Sequence, residues 1–167
     1  ACIEAMHDVC GDEVGLALDA GPGMSAIDLL RLAKECERFN LMWIEDALTG
    51  DYVPYVLADV YRDVTMATST PIHTGEQIYL RQNFQDLFEK KAVNIVGPDP
   101  LDAGGIAETK WIAEFAELHG VLIAPHGIAD GLIDGTADTS VAARVSALEK
   151  AGSRALREWD GHRRAPA

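Results

Sequence analysis

VNIVGPDPLDAGGIAETKWIAEFAELHGVLIAPH, residues 93–126, holds an apolar run closed by Asp99, a helical segment, and a second apolar run closed by His126. Val93–Val96 is a short apolar run of the kind a buried strand uses. Gly104 and Gly105 then precede a stretch in which Ile112, Phe115 and Ala116 recur at helical spacing. Gly120 stands where a helix C-cap belongs, and Val121–Ala124 return to strand character. The 27 residues from Asp99 to His126 are about the length of one strand, one helix and two short loops.

The same unit recurs upstream. Asp19 closes GLALD, Glu45 closes LMWIE and Glu76 closes PIHTGE, so the five polar residues are spaced by 26, 31, 23 and 27 residues. A strand-helix repeat with one ionisable group at the carboxyl end of each strand describes the catalytic face of a (β/α) barrel. Val14–Ala20 predict the first strand. Ser25 with Asp28 forms a capping-box pattern opening a helix whose apolar stripe is Leu29, Leu32, Ala33, Cys36 and Phe39. Leu41–Ile44 read as a strand buried on both faces. Part of the long segment 51–68 is expected to be helical from Val56, Val60 and Val64. Pro71 starts a strand running to Glu76, and Phe84, Leu87 and Phe88 mark a further helix. The fold class expected is α/β, a partial (β/α) TIM-type barrel of about five strand-helix units with a divergent C-terminal tail.

At 167 residues the chain has the length of one domain and enough apolar sequence to bury a core. Its longest apolar runs are too short to span a bilayer, and ACIEAMHDVC, residues 1–10, lacks the basic-then-apolar order of a signal peptide. A net charge of −13 argues against nucleic acid or an anionic membrane as partner, because phosphate contacts need Lys and Arg. Cys2, Cys10 and Cys36 are odd in number and form no C-x-x-C pair, which fits a reducing, cytoplasmic setting.

Three carboxylates at strand ends can converge on one point, and hard oxygen ligands suit Mg²⁺. Any one of them alone would read as a helix cap or a solvated loop acid; three at the repeat spacing favour a metal site at Asp19, Glu45 and Glu76. Asp99 and His126 on neighbouring strands form a candidate dyad, in which the carboxylate fixes the imidazole tautomer and raises its basicity. His73 is expected on the strand face opposite Glu76, in a packing or surface role. Asp46 and Asp51 are candidate supporting or lid residues, although solvated loop acids are the simpler reading. Tyr79 and Arg81 follow Glu76 closely and are candidate substrate-binding residues, Arg81 as partner for a substrate carboxylate, although a solvated helix Arg is the simpler reading.

The series LALDAG, WIED, TGE, VGPD with AGGI, and LIAPHG resembles the C-terminal barrel of the enolase superfamily, within it the mandelate racemase/muconate lactonizing group and its acid-sugar dehydratases. The resemblance runs from about Val9 to about Ile133. It implies that Asp19, Glu45 and Glu76 hold Mg²⁺, and that Asp99 and His126 are the Asp-His dyad. It also implies a small-molecule carboxylate, a sugar acid, as substrate, within carbohydrate acid catabolism. The reaction implied is abstraction of the proton α to the carboxylate followed by loss of a β-hydroxyl, in a lyase that is a homo-oligomer when complete. A racemase, epimerase or cycloisomerase of the same superfamily, or a catalytically inert partial chain, are the alternatives. The family's Lys-x-Lys base belongs to a strand preceding Asp19, and the His that some acid-sugar dehydratases carry two residues after the first ligand is Gly21 here. The domain reading is a partial barrel over residues 1–133 and a divergent, helical or disordered tail over 134–167, with the capping domain and remaining strands of a complete barrel outside the chain.

Overall fold

The structure, a computed structural model, describes residues 2–12, 14–48 and 57–127. Expectations for Asp51, Val56, the 133–134 boundary and the tail concern residues outside these. The elements run α1 (Cys2–Cys10), β1 (Leu18–Asp19), α2 (Ala26–Cys36), β2 (Ile44–Glu45), α3 (Ala58–Thr65), β3 (Ile72–Thr74), α4 (Gln85–Glu89), β4 (Ile95–Val96), α5 (Ile106–His119) and β5 (Leu122–Ile123). All five strands are parallel neighbours in sequence order, β1-β2-β3-β4-β5. A doubly wound sheet reverses its strand order at a switch point. This sheet does not, so it is an arc of a (β/α) barrel, as the repeat spacing predicts.

Local chemistry explains the elements. Ser25 caps α2, its hydroxyl oxygen accepting the Asp28 N–H at 3.2 Å. Leu29, Ala33 and Cys36 of the predicted stripe are buried, and burial also raises the Cys36 thiol pKa. α5 ends at Gly120, whose φ of 71° lets its N–H return to Ala116 and Glu117.

The regular strands are shorter than the apolar runs that contain them. β1 borders a described neighbour on one side, and Val14 is half exposed. Leu41 and Ile44 are buried, but Met42 is 37% exposed, so that strand is not covered on both faces over its whole length. β3 stops at Thr74 and does not reach Glu76, because Gly75 turns the chain with a φ of 142°. Backbone bonds extend the pairing beyond the strand limits: Ala20 N–H donates to Glu45 at 3.1 Å, Asp46 N–H to His73 at 3.1 Å, and Gly97 N–H to Thr74 at 3.0 Å.

Strand alternation sorts the side chains into two sets. Leu18, Ile44, Ile72, Val96 and Ile123 face the helices and join the core with Leu29, Ala33, Tyr61, Val64, Leu87, Phe88, Ile112 and Ala116. The register partners Asp19, Glu45, His73, Ile95 and Leu122 occupy the alternate positions, on the inner face of the arc. Burying the aromatic part of this core stabilises the arc by roughly 1.5–3 kcal/mol per side chain. Phe84 and Phe88 are both wholly enclosed and stack at 6.3 Å. Among the described residues no helix is long and apolar enough to cross a membrane.

Candidate active site

The inner row delivers Asp19 and Glu45 directly from adjacent strands, because Leu18 pairs with Ile44 and Asp19 with Glu45. Glu76, Asp99 and His126 follow just after β3, β4 and β5, in the turns at the carboxyl ends of the strands. There His126 stands between two acids. Its Nδ1 lies 2.7 Å from Asp99 Oδ2 and its Nε2 lies 3.1 Å from Glu76 Oε2. Asp99 is 4% exposed and its other oxygen accepts the Leu101 N–H at 2.7 Å, so both oxygens of this acid are held.

Glu45 Oε2 accepts the indole N–H of Trp43 at 2.8 Å. Its Oε1 lies 3.5 Å from Nδ1 of His73, a ring that is 1% exposed and stacks on Trp43 at 5.3 Å. Three carboxylates, Glu45, Asp46 and Glu76, each bring an oxygen within 4.8 Å of one another. Asp19, expected with Glu45 and Glu76, is not in this group: it is exposed, and its carboxylate accepts the Gly21 N–H at 3.0 Å. Its charge nonetheless acts on both Glu76 and His73.

The electrostatics follow from this crowding. Burial pushes the Glu76 pKa up; the charges of Glu45 and Asp19 add to the rise and His126 opposes it. For His126 burial favours the neutral ring, but the Asp99 hydrogen bond and the charges of Glu76, Asp99 and Glu45 outweigh it and raise the pKa. Burial lowers the His73 pKa against the opposing pull of Glu45. Several hard oxygens gathered on one face, with repulsion among them, are a donor set that fits a hard divalent cation.

Two residues differ from their sequence-based reading. Asp46 is 3% exposed, not a solvated loop acid: a φ of 45° turns it inward, where Oδ1 accepts the Gly75 N–H at 3.3 Å. His73 is packed, and it shares the inner face with Glu45, because alternation counted back from Glu76 fails across the Gly75 turn. The available signals were Asp46 following Glu45 directly and His73 standing in register with it. Tyr79 is half exposed and its carbonyl accepts the Asn83 amide. Arg81 turns to α5, with its guanidinium 3.9 Å from the Trp111 ring centre and its backbone N–H donating to Glu108 at 3.1 Å.

The chain is 34% identical over 144 residues to the D-xylonate dehydratase of Haloferax volcanii, covering 86% of this chain and 33% of that protein. Among solved structures, the L-talarate dehydratase of a Polaromonas species, complexed with Mg and L-glucarate, superposes with a TM-score of 0.68 at 31% identity, covering 75% of this chain and 34% of that one. A mandelate racemase/muconate lactonizing enzyme-like protein from Rubrobacter xylanophilus superposes with a TM-score of 0.70 at 37% identity, over 76% of this chain and 31% of that one. The chain thus spans about a third of the length of these proteins. The profile of the enolase C-terminal domain-like family matches residues 1–162. With five parallel strands in barrel order beneath that match, the chain belongs to the enolase superfamily, in its mandelate racemase/muconate lactonizing group.

Proposed function

We propose that the chain carries the metal-binding and proton-transfer arc of a Mg²⁺-dependent sugar-acid dehydratase. Asp19, Glu45 and Glu76 are its metal ligands, and His126, oriented by Asp99, moves the proton. The observation that carries this reading is the position of His126, 2.7 Å from Asp99 on one side and 3.1 Å from Glu76 on the other. Similarity to dehydratases of sugar acids, and the Mg and L-glucarate of the Polaromonas protein, support the substrate class.

Asp99 holds Nδ1, which leaves Nε2 as the atom that exchanges protons on the carboxylate-lined side. Bound there, Mg²⁺ would supply positive charge to a substrate carboxylate and acidify the carbon-bound proton beside it. The Asp99 hydrogen bond raises the basicity of His126, so the neutral ring takes the α-proton on Nε2 and the imidazolium formed gives that proton to the departing β-hydroxyl. The α C–H and β C–O bonds break, a double bond forms between the two carbons, and the hydroxyl leaves as water. Glu45, fixed by Trp43, and Glu76, placed by the Gly75 turn, keep the charged groups of the site in register with that imidazole.

The test is exchange of the α-proton for deuterium in a panel of aldonates and aldarates with Mg²⁺ present. The chain is expected to exchange or dehydrate at least one of them, and His126→Asn to slow this by about a hundredfold or more. Equal rates in the two proteins, or no reaction with any sugar acid, would contradict the proposal.

A further inference from the structure

His73 has no part in the proton transfer just described, yet it is buried beside Glu45. The ring is 1% exposed. It stacks on Trp43, its Nδ1 points at Glu45 Oε1 from 3.5 Å, and its Nε2 lies 3.4 Å from the carbonyl of Ala124, just past β5 on the way to His126. Space for it exists only because residue 97 is glycine: a Cβ there would lie 2.4 Å from both Cε1 and Nε2 of the ring and 2.9 Å from the Ala124 oxygen. Nδ1 is fully buried and has no hydrogen-bond partner among the described residues. A buried polar atom left so is costly, and it needs a partner that comes within reach.

The partner at hand is Glu45. Trp43 already holds Oε2 at 2.8 Å, so Oε1 is the oxygen of this carboxylate left to be fixed. Closing the 3.5 Å gap by a few tenths of an ångström makes a hydrogen bond. An imidazole carries at least one N–H, and of the two acceptors beside it the carboxylate is the stronger. We propose that His73 is a positioning residue for Glu45: its Nδ1–H takes Oε1 while the Trp43 indole takes Oε2, which fixes the plane of the carboxylate and leaves its remaining lone pairs to the cation shared with Glu76. This rests on the metal reading above. Carboxylate ligands are themselves held by outer hydrogen bonds, and losing such a partner typically weakens metal affinity by about 10–100-fold.

Two measurements test it. The first is the ¹⁵N tautomer of His73 in the metal-free, unmodified chain, assigned by the signal that disappears in His73→Phe. The Nδ1–H form is expected, and the Nε2–H form, with the proton on the Ala124 side, would overturn the proposal. The second is Mg²⁺ titration calorimetry of the unmodified chain, His73→Phe and His73→Asn. Phe keeps the stacked ring without a donor, and Asn places an amide N–H near Nδ1. His73→Phe is expected to bind Mg²⁺ about tenfold more weakly or worse while still melting cooperatively, and His73→Asn to recover most of the loss. Mg²⁺ binding untouched by His73→Phe overturns this role alone. An unmodified chain that binds no Mg²⁺ overturns the metal reading and this role with it.

Discussion

Asp99 Oδ2 lies 2.7 Å from Nδ1 of His126, while Asp99 Oδ1 is occupied by the backbone N–H of Leu101 at 2.7 Å. The acid therefore cannot swing away from the ring without breaking a backbone bond, and it holds one tautomer of His126 with Nε2 turned to Glu76. In Asp99→Asn the hydrogen bond weakens and a nearby negative charge disappears. The His126 pKa, followed by NMR titration of the metal-free chain, is expected to fall. An unchanged titration would show that the charges of Glu76 and Glu45, not Asp99, raise it.

The core prediction concerns Phe88. It is wholly buried, meets Phe115 edge-on at 5.5 Å and stacks with Phe84 at 6.3 Å. Phe88→Ala removes the ring that joins α4 to α5 and is expected to cost about 3–5 kcal/mol in denaturant unfolding. The same change at the 81%-exposed Leu118 is expected to cost less than about 0.5 kcal/mol.

Gly75 sets where Glu76 points. Its φ is 142°, and a Cβ there would lie 3.0 Å from the Gly97 nitrogen and 3.2 Å from the Phe84 ring. Gly75→Ala is expected to destabilise by about 1–3 kcal/mol through backbone strain. It is also expected to weaken Mg²⁺ binding, because the turn that presents Glu76 must shift. Calorimetry and thermal melts separate the two effects.

Acid stability has a local source at Glu37. Its carboxylate accepts the Ser69 N–H at 2.9 Å, the Thr68 hydroxyl at 3.0 Å and Lys34 Nζ at 3.3 Å, tying the end of α2 to the chain before β3. The Ser69 and Thr68 bonds are the main causes that lower its pKa to about 2. The folded value lies below the unfolded one, so this stabilisation is fully present above the ordinary carboxylate pKa of about 4.3 and is lost as pH falls towards 2. The melting-temperature gap between the unmodified chain and Glu37→Gln is expected to be widest at neutral pH and to close through that window.

Much of this site could be read from residue order. Each of the five strand-end groups arrives from its predicted run, and the Asp99–His126 pair forms as its spacing implied, because a parallel ladder in sequence order brings consecutive strand ends together. What could not be read depends on single backbone angles. Asp46 turns inward at a φ of 45°, and Gly75 breaks the alternation that would have put His73 on the far face from Glu76. Asp19 bends back to the Gly21 amide, a contact that the spacing of apolar runs does not encode. Arg81 stacks on Trp111 of α5, a partner 30 residues away, which periodicity within its own segment could not reveal.

Thermal unfolding of the chain and of Glu76→Gln, each with and without Mg²⁺ near neutral pH, tests the central claim most directly. Because the folded chain raises the Glu76 pKa, the ionised carboxylate weakens the fold, so metal-free Glu76→Gln is expected to melt at or above the unmodified chain. With Mg²⁺ at a hundredfold over its Kd, binding adds about 2.7 kcal/mol and raises the unmodified melt by roughly 5–10 °C. Glu76→Gln should lose most of that rise. An unmodified chain indifferent to Mg²⁺, or an equal rise in both proteins, would contradict the assignment of Glu76 and its neighbours as a metal site.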